Sequence, residues 1–117
     1  MFNRHEINPF NITDKVTFRN IDRTVNLTVR ADAMALVRGL TQVNATLSGM
    51  TSDTPEEEQR SIAHAYAAVI FGAAQADALV DLYDRDPVHI IQACNMYFTS
   101  RLAPKLTKIQ KRQKMKK

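Results

Sequence analysis

Between residues 15 and 30 the apolar positions recur every second residue: Val16 and Phe18, then Val25, Leu27 and Val29. A period of two belongs to extended chain with one face turned inward. The polar break Asn20-Ile21-Asp22 separates the two runs, which predicts a β-hairpin over residues 15–19 and 23–30. An isolated hairpin is marginal in water, so it must pack on the helical segments that come after it.

Beyond residue 32 the rhythm changes. Leu36, Val37, Leu40, Val43 and Leu47 are spaced by three or four residues, Asp32 stands where an N-cap belongs, and Gly49 stands where a helix ends in a left-handed conformation. This predicts a first helix to about Ser48. Thr54-Pro55-Glu56-Glu57 supplies an N-cap, a proline at the first helical position and a glutamate three residues after the cap. Glu56, Glu57 and Glu58 also sit where the helix dipole favours negative charge, and Ile62, Tyr66, Val69 and Ile70 form the inward stripe of this second helix.

Gly72 interrupts the run. A shorter helix is predicted over residues 73–83, with Ala76, Leu79, Val80 and Tyr83 inward and Gln75, Asp77 and Asp81 outward. Asp86-Pro87 starts a fourth helix, whose stripe is Ile90, Ile91, Cys94, Tyr97, Phe98 and Leu102. The ring of Pro104 conflicts with the carbonyl four residues earlier, so this helix should kink or stop near Ser100. The predicted fold is mostly α: an N-terminal β-hairpin packed on a bundle of about four helices. An N-terminal arm over residues 1–12, one domain over residues 13–103 and a basic tail over residues 104–117, disordered or only partly helical, complete the expected organisation.

Charge divides the chain unevenly. Residues 101–117 hold eight Lys or Arg and no acid, against eight basic and twelve acidic residues before them. The formal net charge of +4 is therefore the sum of an acidic body and a basic extension. No apolar run is long enough for a membrane span, and the first residues lack the apolar stretch of a signal peptide. With the single cysteine, Cys94, this is the pattern of a cytosolic, soluble protein without a membrane role.

Candidate chemistry is sparse. His5, His64 and His89 are scattered, and His89 and Cys94 fall on different sides of a helix, so structural or surface roles are expected for the histidines. Asp77, Asp81, Asp84 and Asp86 lack the glycine and terminal glutamate of a calcium loop and read as a solvated face. There is no glycine-rich phosphate loop and no nucleophile elbow. A non-enzymatic protein without metal or cofactor is expected. The basic end carries the remaining signal: Lys105, Lys108 and Lys111 recur every three residues with Leu106 and Ile109 between them, and Arg112, Lys114, Lys116 and Lys117 complete the run. Such a run attracts phosphates, yet it holds no aromatic residue on which a base could stack.

Three stretches of the chain, Ile70-Phe71-Gly72-Ala73-Ala74-Gln75-Ala76, then Leu79 to Asp86-Pro87, then Asn95-Met96-Tyr97-Phe98 to Arg101-Leu102-Ala103 with a lysine-rich end, have a familiar order. Over residues 13–117 this order resembles the small tail assembly chaperones of long-tailed bacteriophages. The resemblance implies a protein of the host cytoplasm that binds the long, aggregation-prone tape measure protein before the tail tube assembles and is absent from the mature virion. A holding protein needs apolar surface for its client, so the expected partner-binding residues are Ile90, Tyr97, Phe98 and Leu102, with Met50 and Met96 as adaptable contacts and Lys105, Lys108, Lys111 and Arg112 as salt-sensitive ones. Homo-oligomers would repeat that surface along an elongated client. A small nucleic-acid-binding regulator and a structural tail or head-completion protein are the alternative classes. The acids of the second and third helices disfavour a regulator that reads DNA with a helix-turn-helix.

Overall fold

The computed structural model describes residues 11–115, with side chains as far as residue 111. It is mostly helical, with the expected antiparallel hairpin at its start. Strands β1 (Asn11–Asn20) and β2 (Arg23–Asp32) pair along their full length, with Asn20 opposite Arg23 and Asn11 opposite Asp32. Residues 11 and 12, expected in an arm, thus belong to β1; residues 1–10 lie outside the described residues. The loop is the pair Ile21-Asp22, one residue shorter than expected, because Asn20 stays in the ladder. Ile21 carries φ 60 at the first turn position, where a β-branched residue is rarely found.

The register places Val16 and Phe18 on one face with Val25, Leu27 and Val29, as the alternation predicts, and adds Ile12. Phe18, Leu27 and Val29 are buried in the common core. Asp14, opposite Val29, shares this inward face. The outer edge of β2 is covered by Gln75, a residue expected to face solvent. Its amide accepts from the Thr28 N–H at 2.8 Å and donates to the Thr28 carbonyl at 2.7 Å, so one side chain pairs both backbone groups of Thr28 on that edge.

Helix α1 (Ala33–Ser48) begins at Asp32, whose carboxylate accepts from Ala35 N–H at 3.0 Å. Its end differs from expectation: Gly49 has φ −86, right-handed, and its N–H closes the last turn on the Thr46 carbonyl at 3.1 Å. The glycine that matters is Gly39, where an added Cβ would lie 2.9 Å from Val69 Cγ1, so α1 and α2 approach closely enough there that a side chain would have to displace Val69.

Helix α2 (Glu56–Phe71) has its three glutamates in the first turn. Pro55 occupies the cap position rather than the first helical one, and the Thr54 hydroxyl turns away to accept from Thr51 N–H at 2.9 Å, closing the linker instead of capping the helix. Ala63 and Ala67 are completely buried, which lets the neighbouring elements close on α2. Gly72 ends it at φ 87 and ψ 157, a region open essentially to glycine alone, and turns the chain into α3 (Ala73–Leu82).

The hairpin tip clamps the end of α3. Asn20 Nδ2 and the Arg23 guanidinium both donate to the Leu82 carbonyl, at 2.9 and 2.7 Å, and Arg23 pairs with Asp84 at 2.9 Å. A cation at a helix C-terminus is favourably placed against the dipole. Asp86 then caps α4 (Pro87–Tyr97) by accepting from Val88 N–H at 3.0 Å.

The chain does not stop at Ser100. It widens into a π turn (Phe98–Leu102), in which Ala103 N–H reaches back to the Phe98 carbonyl, and continues as α5 (Ala103–Met115). Pro104 has no N–H to give and its ring would strike the Ser100 carbonyl in a regular helix. One wide turn displaces that carbonyl and keeps the helix going. Residues 104–111, expected in a tail, are consequently helical, and Leu106 and Ile109 are buried in the core.

Candidate partner-binding groove

The sequence-predicted contact residues divide by burial. Ile90, Tyr97 and Leu102 are 1%, 3% and 0% exposed and belong to the core, so a partner cannot touch them in the folded protein. Their three-to-four spacing marks an inward face, and this face is covered by the protein's own hairpin and helices. Tyr97 sits in an aromatic cluster, its ring centroid 5.4 Å from Phe71 and 6.4 Å from Phe18, while Phe18 and Phe71 meet edge to face at 5.6 Å. Phe98, one residue on, is half-buried and faces elsewhere. Met96 is 72% exposed.

Phe98 lines an open groove of ≈ 390 Å³. One wall is α1, with Val37, Leu40, Thr41, Val43, Asn44 and Leu47; Tyr66 of α2 and Asn95 of α4 form the floor; Phe98 in the π turn and Leu106 of α5 make the other wall. The Tyr66 hydroxyl donates to Asn95 Oδ1 at 2.6 Å, so these two floor groups satisfy each other and the rest of the lining is chiefly apolar. Burial pushes the Tyr66 phenol up to about 12, which keeps it neutral as a donor at any physiological pH. Asn95 also borders a shallower depression with Met96, Thr99 and Ser100, which extends the surface along the outer side of α4. Among the described residues, every one lining the two depressions is uncharged. Loss of charge at the centre is the compositional mark of a protein interface.

The wall containing Phe98 is pinned from behind by Asp14. Its carboxylate accepts from the Tyr97 hydroxyl at 2.9 Å and from the Arg101 guanidinium at 2.9 Å, and Arg101 also donates to the Lys15 carbonyl at 3.0 Å. Asp14 exposes only 11% of its side chain. Burial would raise its pKa, but the Tyr97 hydrogen bond and the Arg101 and Lys105 charges outweigh burial and hold it below the ordinary value. The same burial, with Asp14 beside it, pushes the Tyr97 phenol upward. Tyr97 and Arg101 bracket Phe98, so a strand acid fixes the turn that carries the groove's aromatic residue.

Lys105 is half-buried, and Lys108 and Lys111 are exposed on the same helix as Leu106; the Arg112 side chain lies outside the described ones. Cys94 is fully buried, its thiol pushed up to about 12 by that burial.

His64 and His89, and the acids Asp77, Asp84 and Asp86, have structural partners. His64 meets Asp77 at 2.8 Å and His89 meets Asp86 at 2.8 Å, while Asp84 holds Arg23. A second depression of ≈ 430 Å³, lined by residues including Glu57, Arg60, His64 and Arg85, opens beside the His64–Asp77 pair. Among the described residues, no group of three or more His, Cys, Asp or Glu is placed to hold a metal ion, and no helix is long and apolar enough to cross a membrane. No protein-family model, curated protein or solved structure matches this chain.

Proposed function

We propose that the protein is a non-enzymatic assembly chaperone of a long-tailed bacteriophage, one that holds the tape measure protein in the host cytoplasm before the tail tube forms and is absent from the mature virion. The observation that carries the holding role is the open groove between α1 and the α4–π turn–α5 arm, chiefly apolar and uncharged among the described residues that line it. A holdase works by covering a client's apolar segments, and this is the surface on which it can do so. The phage setting rests on the resemblance in the order of elements across residues 13–117. Phe98 keeps its role as a client contact, joined by Val37, Leu40 and Leu47 of α1 in place of the buried Ile90, Tyr97 and Leu102.

A second reading, a nucleic-acid-binding regulator, draws on Lys108 and Lys111, exposed on α5 with no ion pair among the described residues. Affinity purification of the tagged protein from phage-producing cells separates the two. Nuclease-resistant recovery of one very long tail protein supports the chaperone; recovery of DNA or RNA alone, lost on nuclease treatment, supports the regulator.

A further inference from the structure

The groove has a direction, a charge environment and a backbone chemistry that together describe its occupant. Its α1 wall runs from Val37 to Leu47, about 15 Å at the helical rise, or close to three turns. Both long walls are helical and, among the described residues, none from a strand lines it, so it offers no unpaired backbone edge to which an extended peptide could add as a strand. Its offer is a trough for side chains spaced along one face of a helix.

Charge sets the flanks. Residues 33–52, which contain α1, and residues 87–117, which contain α4, the π turn and α5, hold no Asp or Glu at all. The acids lie at Glu6, in the hairpin, in the linker and first turn of α2, and along α3 and the loop after it. Every charged residue in the segments that form the long walls is thus a cation, including Lys105 and Lys108 on either side of Leu106 in sequence; the acid behind the Phe98 wall, Asp14, is already engaged by Tyr97 and Arg101. Lys108 and Lys111 have no ion pair among the described residues, so their charge is available to a partner.

We propose that this groove takes the apolar stripe of an amphipathic α-helix from another protein, with acidic residues flanking that stripe. The inference rests on the groove being the client site and adds how the client is recognised: two or three apolar anchors at i, i+3 or i+4 and i+7 enter beside Phe98 and Leu40, and carboxylates beside them meet α5. Apolar burial supplies affinity, and the lysines select the sign of the flanks.

The test uses the full chain and three fluorescent helical peptides sharing one design: a Leu/Phe stripe with Glu flanks, the same stripe with Lys flanks, and the Glu peptide with its stripe scrambled. Anisotropy should show the Glu-flanked peptide binding at least about tenfold more tightly than its Lys twin at low salt, the gap narrowing as salt rises. The scrambled peptide should not bind. Val37→Glu should abolish binding, and Thr41→Glu, at an exposed lip position that leaves the core untouched, should do the same if Val37→Glu perturbs folding. Equal binding of the two flank types, or no binding of either, overturns the proposal. So does sedimentation showing a dimer that Thr41→Glu converts to monomer, which would make a second copy the occupant. If the peptides fail while Thr41→Glu still abolishes client capture in phage-producing cells, the helix mode falls and the holding role stands; if capture also survives that substitution, the groove reading falls with it.

Discussion

Removing the Asp14 carboxylate should damage the protein more than removing any other acid on its surface, and the reason is geometric. Asp14 exposes only 11% of its side chain and serves two donors, Tyr97 and Arg101, each at 2.9 Å. Asp14→Ala strands the Tyr97 hydroxyl in a nearly dry site, a penalty of about 1–3 kcal/mol. The Arg101 contribution is smaller, roughly 0.2–1 kcal/mol, because that side chain is 45% exposed and screened. Together they give about 1–4 kcal/mol, a sizeable part of the roughly 5–15 kcal/mol typical of a domain. Asp14→Asn keeps an acceptor for Tyr97 and should cost about 1 kcal/mol. Urea unfolding monitored by circular dichroism measures both.

The pH dependence has a fixed sign. Asp14 titrates below its ordinary value in the folded protein, so its contribution is present above pH 3.8 and is lost as pH falls through the lowered native value. The gap between wild type and Asp14→Asn should therefore close below about pH 4. An Asp14→Ala protein within about 0.5 kcal/mol of wild type, the scatter of neutral surface changes, would show that neither donor depends on this carboxylate.

Single positions carry further expectations. Cys94 is fully buried and its thiol sits at about 12, so Ellman's reagent should react only as fast as the protein unfolds; rapid labelling of the native state would contradict the packing. A Cβ at Gly72 meets no described atom within 4 Å, so the cost of Gly72→Ala, about 1–3 kcal/mol, should come from backbone strain alone, visible as a lower urea midpoint without loss of helix content. Ile21→Gly should raise stability by about 0.5–1 kcal/mol by relieving φ 60 in an exposed side chain; a lower midpoint would mean the turn is not strained. Tyr66 and Tyr97 titrate above free tyrosine, so stability should hold to about pH 10 and fall above it as the unfolded phenols ionise first, an effect that Tyr66→Phe should reduce.

Much of this fold can be read from the chain because its signals are local. Alternation sets the hairpin, and Asp32 and Asp86 announce α1 and α4 by capping chemistry that needs only a few neighbouring residues. Pro104 marks the right place for a distortion, but whether a helix stops or widens there depends on what holds the far side, here Leu102, Leu106 and Ile109 in the core and Arg101 on Asp14. The Asp14 role was legible in part: residues 12, 14, 16 and 18 share one parity, and an acid on an inward parity needs a partner. Gln75 gave no such signal, because a glutamine on a helix looks the same whether it meets water or an open strand edge.

The site was the least legible feature. A stripe at helical spacing says which residues turn inward and not how far the rest of the chain covers them, so Ile90, Tyr97 and Leu102 could not be told from Phe98 by periodicity. The reverse holds for α1, whose Val37, Leu40 and Leu47 look like core positions and remain half-buried because α5 approaches through Leu106 without closing the gap.

The functional reading stands or falls on partners binding between α1 and the α4–π turn–α5 arm. Hydrogen–deuterium exchange of the protein, alone and in complex with the client recovered from phage-producing cells, reads that surface without any substitution. Added protection should be confined to peptides spanning residues 37–47 and 95–108, with little change in the hairpin and α3. Protection centred on the hairpin or on α3, with residues 37–47 unchanged, would place the partner elsewhere and remove the groove as its site.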